Sequence, residues 1–335
     1  MKKLFFSVSN DVIDQITNLY DFVWPTASAM WNFRWQIKGF VNEVGKENIS
    51  EQNLLNRFDW GSGIHGANIT RAVLEKTWEE QQEQFAKFLL INLIAIYEGW
   101  LEGLQEVLGL TKKQIKQLQF PTGVDKNGNP FGVNVAITEL TNNRSTLLEN
   151  AFYATLRTHS KNSLSQLENL LICFRFFKEC RNSVAHRGGI ADNNSYESYV
   201  AIANLASLHT LNVDEVPEHF PIVVGKPVKL SLRGVVGLGD IIIKLVATLD
   251  AELSTCQKAE NELIERFKQW SISKSGKSKN SLKKDPIAIN GQLLRILRAL
   301  EFPEPIRNDE IEVLLLQEGI LKVNYPKTEK EGGGI

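Results

Sequence analysis

Apolar residues recur every three or four positions over long stretches of the 335-residue chain, which is the spacing of amphipathic helices. The clearest run lies between about Ala72 and Leu108, where Phe85, Phe88, Leu89, Leu93, Ile96, Trp100 and Leu104 share a predicted inward face. A second stripe, Leu167, Leu171, Phe174 and Phe177, belongs to a helix predicted from about Ser163 to Arg187. Residues 1–75 read as mostly helical, with Pro25 expected to break or kink the first helix. Other helices are expected near Leu147–Arg157, Tyr199–Leu208, Asp240–Trp270, Asn290–Leu300 and Asp309–Gln317. Pro121–Val133 is dense in Gly, Pro and Asn and predicts a turn or hairpin. Phe220–Gly234 alternates between apolar and polar and predicts a short β-hairpin through Gly225, Lys226 and Pro227.

These elements imply a mainly α fold, a helical bundle with a short β-hairpin insertion. The chain divides on this reading into a helical region 1–75, a helical bundle 76–270, a linker 271–284 and a small α domain 285–335. The linker has five Lys and no acid, as a solvated connection does.

Composition narrows the picture little. Net charge is −1, so any contact with nucleic acid must use a local basic patch. Cys173, Cys180 and Cys256 lack zinc-ligand spacing and are odd in number, which predicts reduced thiols in a cytoplasmic protein. The apolar run Phe88–Tyr97 is interrupted by Asn92 and spans about half the length a membrane helix needs. No membrane association is expected, and neither a metal nor a cofactor.

The local patch lies in CRNSVAHRGG, Cys180–Gly189. The stripe of the preceding helix points to Arg181 as its next member, and a buried Arg needs an anionic partner. Glu98, on a face with Ile91, Ile94, Ala95 and Leu101, is a candidate carboxylate. His186 falls in the last turn, where the helix dipole favours positive side chains, and Gly188–Gly189 predict the stop. Arg175, Lys178, Arg181 and Arg187 stand against Glu179 alone, giving this helix end a net positive charge. Arg181 and His186 are separated by about 7.5 Å of rise and roughly 140° of rotation. Two copies of the helix meeting at a two-fold axis would gather two Arg and two His around one cleft.

Arg181-Asn182-Ser183-Val184-Ala185-His186 resembles the signature of HEPN domains, an Arg, a polar residue, three more residues and a His. The apolar helix before it, the Gly after it and the earlier run IYEGWLEGL resemble the same family, over roughly residues 76–270. The resemblance implies an all-α, metal-independent ribonuclease, homodimeric across the Arg181/His186 helix, acting in a toxin–antitoxin or anti-phage system with an antitoxin or sensor protein. It implies His186 as the group that moves the proton, Arg181 as the phosphate holder and Asn182 as an orienting residue. Arg175, Lys178 and Arg187 would bind the RNA substrate. Where some members of the family carry a Tyr that a partner enzyme modifies, this chain has Gly188, so silencing by that route is not expected. The competing reading is a non-catalytic helical interaction module, with Arg181 as an ion-paired core residue and His186 as a cap.

Other signals point to plain structure. GSGIHG, Gly61–Gly66, lacks the strands of a dinucleotide fold. DKNGN, Asp125–Asn129, lacks the Glu that would complete a calcium loop. GVVGLGD, Gly234–Asp240, is expected as a flexible lead into the last long helix. Arg157 and His159 read as a solvated helix end, and Trp24, Trp31 and Trp35 as core residues.

Overall fold

A computed structural model describes residues 3–59, 61, 63, 66–207, 216–273, 281–282 and 286–323. Among them the chain is mainly helical, as the periodicity predicts. The helices are α1 (Ser7–Val44), α2 (Glu51–Phe58), α3 (Trp78–Leu108), α4 (Lys112–Gln117), α5 (Val133–Leu140), α6 (Thr146–Leu148), α7 (Ala154–Arg157) and α8 (Leu167–His186). They continue with α9 (Asn193–Ser207), α10 (Leu232–Leu253), α11 (Ala259–Ser273), α12 (Pro286–Ala299) and α13 (Asp309–Gln317). β1 (Gly123–Val124) pairs antiparallel with β2 (Pro130–Phe131), and β3 (Ser281–Leu282) pairs parallel with β4 (Lys322–Val323).

Several boundaries differ from the expected ones for identifiable reasons. Pro25 lies inside α1 and does not end it. Pro25 and Asp21, whose carbonyl loses its helical donor, both face solvent, while Val23 and Ile37 are buried on either side. Packing therefore holds the helix through the missing bond. α3 starts at Trp78, after a wide turn at Thr70–Glu75. Thr77 sets that start with a capping box: its Oγ1 accepts from the Glu80 N–H at 3.1 Å, and its own N–H donates to Glu80 Oε2 at 2.7 Å.

The hairpin forms at 123–131, and none forms at 220–234. Pro221 and Pro227 cannot donate to a ladder. That segment instead pairs with the turn after α8, through Val228 N–H to Gly189 O (2.8 Å) and Ala191 N–H to Lys226 O (3.0 Å). The last long helix is two helices, broken at 254–258. There the Ser254 and Thr255 hydroxyls donate to the Ala251 and Glu252 carbonyls, each at 2.8 Å, and the Thr255 carbonyl accepts from Ser145. Side-chain hydroxyls in this arrangement compete with helix propagation. Gly234–Asp240 is not flexible but lies within α10. A Cβ at Gly234 would stand 2.0 Å from the Glu218 carbonyl oxygen, so only glycine permits that approach.

The chain forms two compact units, one from 1–13, 98–171 and 243–335, the other from 14–97 and 172–242. The first is organised around Phe5, Phe152, Phe267 and Phe302, all buried, with ring centroids 5.4 to 6.4 Å apart in the pairs Phe5–Phe152, Phe5–Phe302, Phe152–Phe302 and Phe267–Phe302. Its polar anchor is buried Asp250, which accepts from the Phe5 N–H (2.8 Å) and the Phe6 N–H (3.0 Å). The second unit has one core cluster of Ile37, Val41, Leu54, Ile69 and Val73 and a buried pair, Tyr97 and Phe174, at 4.5 Å. It also leaves Trp24, Trp31 and Trp35 exposed, against the expectation of a core.

All three cysteines are free and buried. Among the described residues, no helix is long and apolar enough to cross a membrane. The expected linker falls largely outside the described residues, as do Trp60 and His65.

Candidate functional site

α8 carries the motif to its last residue. Its predicted stripe is buried at Leu167, Leu171, Phe174 and Phe177. Beyond Phe177 the buried line passes through Cys180 and Ser183, and Arg181 stands beside it, half-buried. The 3.6-residue period explains the drift, since each step of three residues falls about 60° short of a full turn. His186 closes the helix and is exposed.

The stop is built as the two glycines predict. Gly188 and Gly189 have φ of 60° and 85°. The Gly189 and Arg187 N–H groups both donate to the Ser183 carbonyl, at 2.9 and 3.0 Å, a closure typical of left-handed caps. Asp192 then ties the turn to the next helix. Its Oδ1 accepts from the N–H of Ser195 (2.9 Å) and from the Ser195 hydroxyl (2.8 Å), and its Oδ2 meets Arg187 at 2.9 Å. The Ser195 hydrogen bonds, with the Arg187 charge, hold the Asp192 carboxyl below its usual range. Ser195 Oγ also lies 3.0 Å from Ser183 Oγ, both buried. Asp192 thus starts a helix that begins at Asn193 rather than near Tyr199.

One turn earlier, Glu179 is a buried hub. It pairs with Arg175 and accepts from Asn182 Nδ2 at 3.2 Å. Burial lowers the Arg175 pKa from its usual value, with the Glu179 charge opposing. Arg175 and Asn182 are therefore held on the helix through one carboxylate, and Arg187 through Asp192. Lys178 is half-buried on α8, and Glu98 is half-buried on α3. Glu98 belongs to the first unit and Arg181 to the second.

Arg157 is exposed at its helix end as expected, whereas His159 is not solvated. Arg157 pairs with Glu252 at 3.3 Å, and Tyr153 donates to the same carboxylate at 2.9 Å. His159 is buried and accepts from the Lys161 N–H at 3.2 Å.

Sequence reasoning overlooked Glu179, Asp192 and Ser195. Local signals for all three were present: Arg175 and Glu179 stand four apart, and Asp192-x-x-Ser195 has the spacing of a helix cap. Among the described residues, no three His, Cys, Asp or Glu side chains gather as a metal site. Chemically, the end of α8 offers an imidazole open to solvent and, one and a half turns back, a guanidinium at the edge of the core. The first can exchange a proton, and the second can hold an anion. The chain matches no family model, no curated protein and no solved structure.

Proposed function

We propose that the protein is a metal-independent endoribonuclease of the HEPN type, working as a dimer in a defence or toxin system. The observation that carries this reading is the exposed His186 at the capped end of α8, five residues after a half-buried Arg181. Cleaving RNA without metal requires the 2′-hydroxyl to attack its own phosphate. His186 would take that proton and later return one to the leaving oxygen. Arg181 would meet the negative charge that builds on the phosphorane oxygens. Asn182, Arg187, Arg175 and Lys178 would orient and hold the strand. The two functional side chains leave the helix in different directions, so a second α8 from a partner copy would complete each cleft.

A helical interaction module is the second reading. The exposed Phe22, Trp24, Phe88 and Ile91 of the second unit favour it.

The test is to incubate the purified protein and its His186→Ala variant with total RNA and tRNA in excess EDTA, then map the 3′ ends. We expect cuts ending in 2′,3′-cyclic phosphate that fall by roughly 10²–10⁴ in the variant, while DNA survives. No cleavage by the wild-type protein, or cleavage unchanged in the variant, would leave the interaction module standing.

A further inference from the structure

α1 and the turn before α3 enclose a second site in the same unit. Its cavity of about 360 Å³ lies near the small end of ligand sites, which start at about 300 Å³. Trp31, Arg34, Trp35 and Lys38 line it from α1, at positions one turn or two apart on one helical face. Lys76 and Trp78 line it from the other side. The rings of Trp31 and Trp35 lie 5.7 Å apart at 77°, and those of Trp31 and Trp78 lie 5.0 Å apart at 61°. Three indoles thus make a corner with steep walls, and two of them stay open to water: Trp31 is 40% exposed and Trp35 is 60% exposed.

The corner is preorganised. Arg34 is only 3% exposed. It donates to the Ala72 carbonyl (3.2 Å), the Lys76 carbonyl (3.0 Å) and Gln81 Oε1 (3.0 Å). These bonds pin the turn that carries Lys76 onto α1, and the Thr77 cap fixes Trp78 as the first residue of α3. Arg34 is a positioning residue. Lys38 and Lys76 are exposed and, among the described residues, neither has an ion-pair partner.

We infer that this cavity binds a nucleobase together with its phosphate, from a single-stranded nucleic acid. Indole faces stack on any base. Lys38 and Lys76 supply the charge for the phosphate. A plain cation in an aromatic cage fits less well, because Arg34, Lys38 and Lys76 outnumber Glu75 and Glu79 in the lining. Those two carboxylates can accept from an exocyclic amino group, so guanine, adenine and cytosine should bind better than uracil. The inference stands on the cavity and does not rest on the ribonuclease reading.

The experiment measures binding of a fluorescently labelled single-stranded 12-mer to the full chain carrying His186→Ala, so that cleavage cannot intrude. Competition by a 12-bp duplex, GMP and UMP is measured alongside. We expect Trp35→Ala to weaken binding about tenfold. Lys38→Glu and Lys76→Glu should each lower the salt slope by about 0.7 or more, with circular dichroism unchanged in all three. Competition by GMP over UMP identifies a free-nucleotide pocket; failure of both to compete identifies a site for the strand. Binding that is absent in the parent, equal for duplex and single strand, or unaffected by Trp35→Ala would overturn the inference. Absence of RNA cleavage by the wild-type protein, with binding intact here, would count against the ribonuclease reading alone.

Discussion

Both units bury aromatic rings, but among the described residues only the second also leaves large ones in water. In the first, Phe5, Phe152, Phe267 and Phe302 are buried against one another, and the Arg266 guanidinium lies 3.8 Å above the Phe302 ring. In the second, Trp31 and Trp35 edge an open cavity, and the rings of Phe22 and Phe88, 6.2 Å apart, are both exposed. A ring withdrawn from water stabilises the fold through its buried area. A ring left in water contributes little to folding and keeps its face free for a ligand. The contrast separates residues that hold the protein together from residues that remain to be explained by what they bind.

Substitutions can break or sharpen this contrast. The largest effect is expected at Phe302→Ala, about 3–5 kcal/mol of stability, from the cavity left among the buried rings; the urea midpoint measures it. Next is Gly234→Ala in α10, which tests whether the second unit is tight inside despite its open surface. The new Cβ meets the Glu218 carbonyl, which is backbone and cannot rotate away. We expect a loss of about 1–3 kcal/mol, read from a thermal melt.

Asp250→Asn probes the anchor of the first unit. Burial pushes the Asp250 carboxyl up to about 6, against the hydrogen bonds from Phe5, Ser9 and Phe6 and the Arg266 charge. The folded chain then keeps a proton that the unfolded chain releases between about pH 4 and 6. Stability from this group therefore falls as pH rises through that window, by roughly 1 kcal/mol per unit, and levels off above it. The Asn variant should lack this component of the slope in denaturant titrations at stepped pH. The smallest effect is expected at Trp35→Ala, within about 0.5 kcal/mol by urea titration. A large loss there would mean that Trp35 belongs to the core after all.

Much of the helical architecture is legible from local spacing. Leu167, Leu171, Phe174 and Phe177 mark the buried side of α8 because a helix repeats every 3.6 residues, and Gly188–Gly189 mark its end because only glycine takes those angles cheaply. The failures share one cause. Whether Trp31 and Trp35 are buried depends on what packs across from them, and α1 carries apolar residues on more than one side. The anchoring of Phe5 and Phe6 by Asp250 joins residues about 245 positions apart, which no local pattern reports. The hairpin was expected at 220–234 because alternation suggests a strand, yet the partner chosen was the turn after α8. At the motif, the period placed Arg181 and His186 on α8, while the hub at Glu179 required knowing which side of the helix is covered.

The buried thiols have a practical use. Burial pushes Cys173 up to about 12 and raises Cys180 and Cys256 as well, so a thiol reagent finds no reactive thiolate while the fold is closed. Labelling can proceed only through local opening. Cys173 and Cys180 belong to the second unit and Cys256 to the first. Mass spectrometry of timed alkylation would therefore clock how often each unit breathes, with reporters the chain already carries.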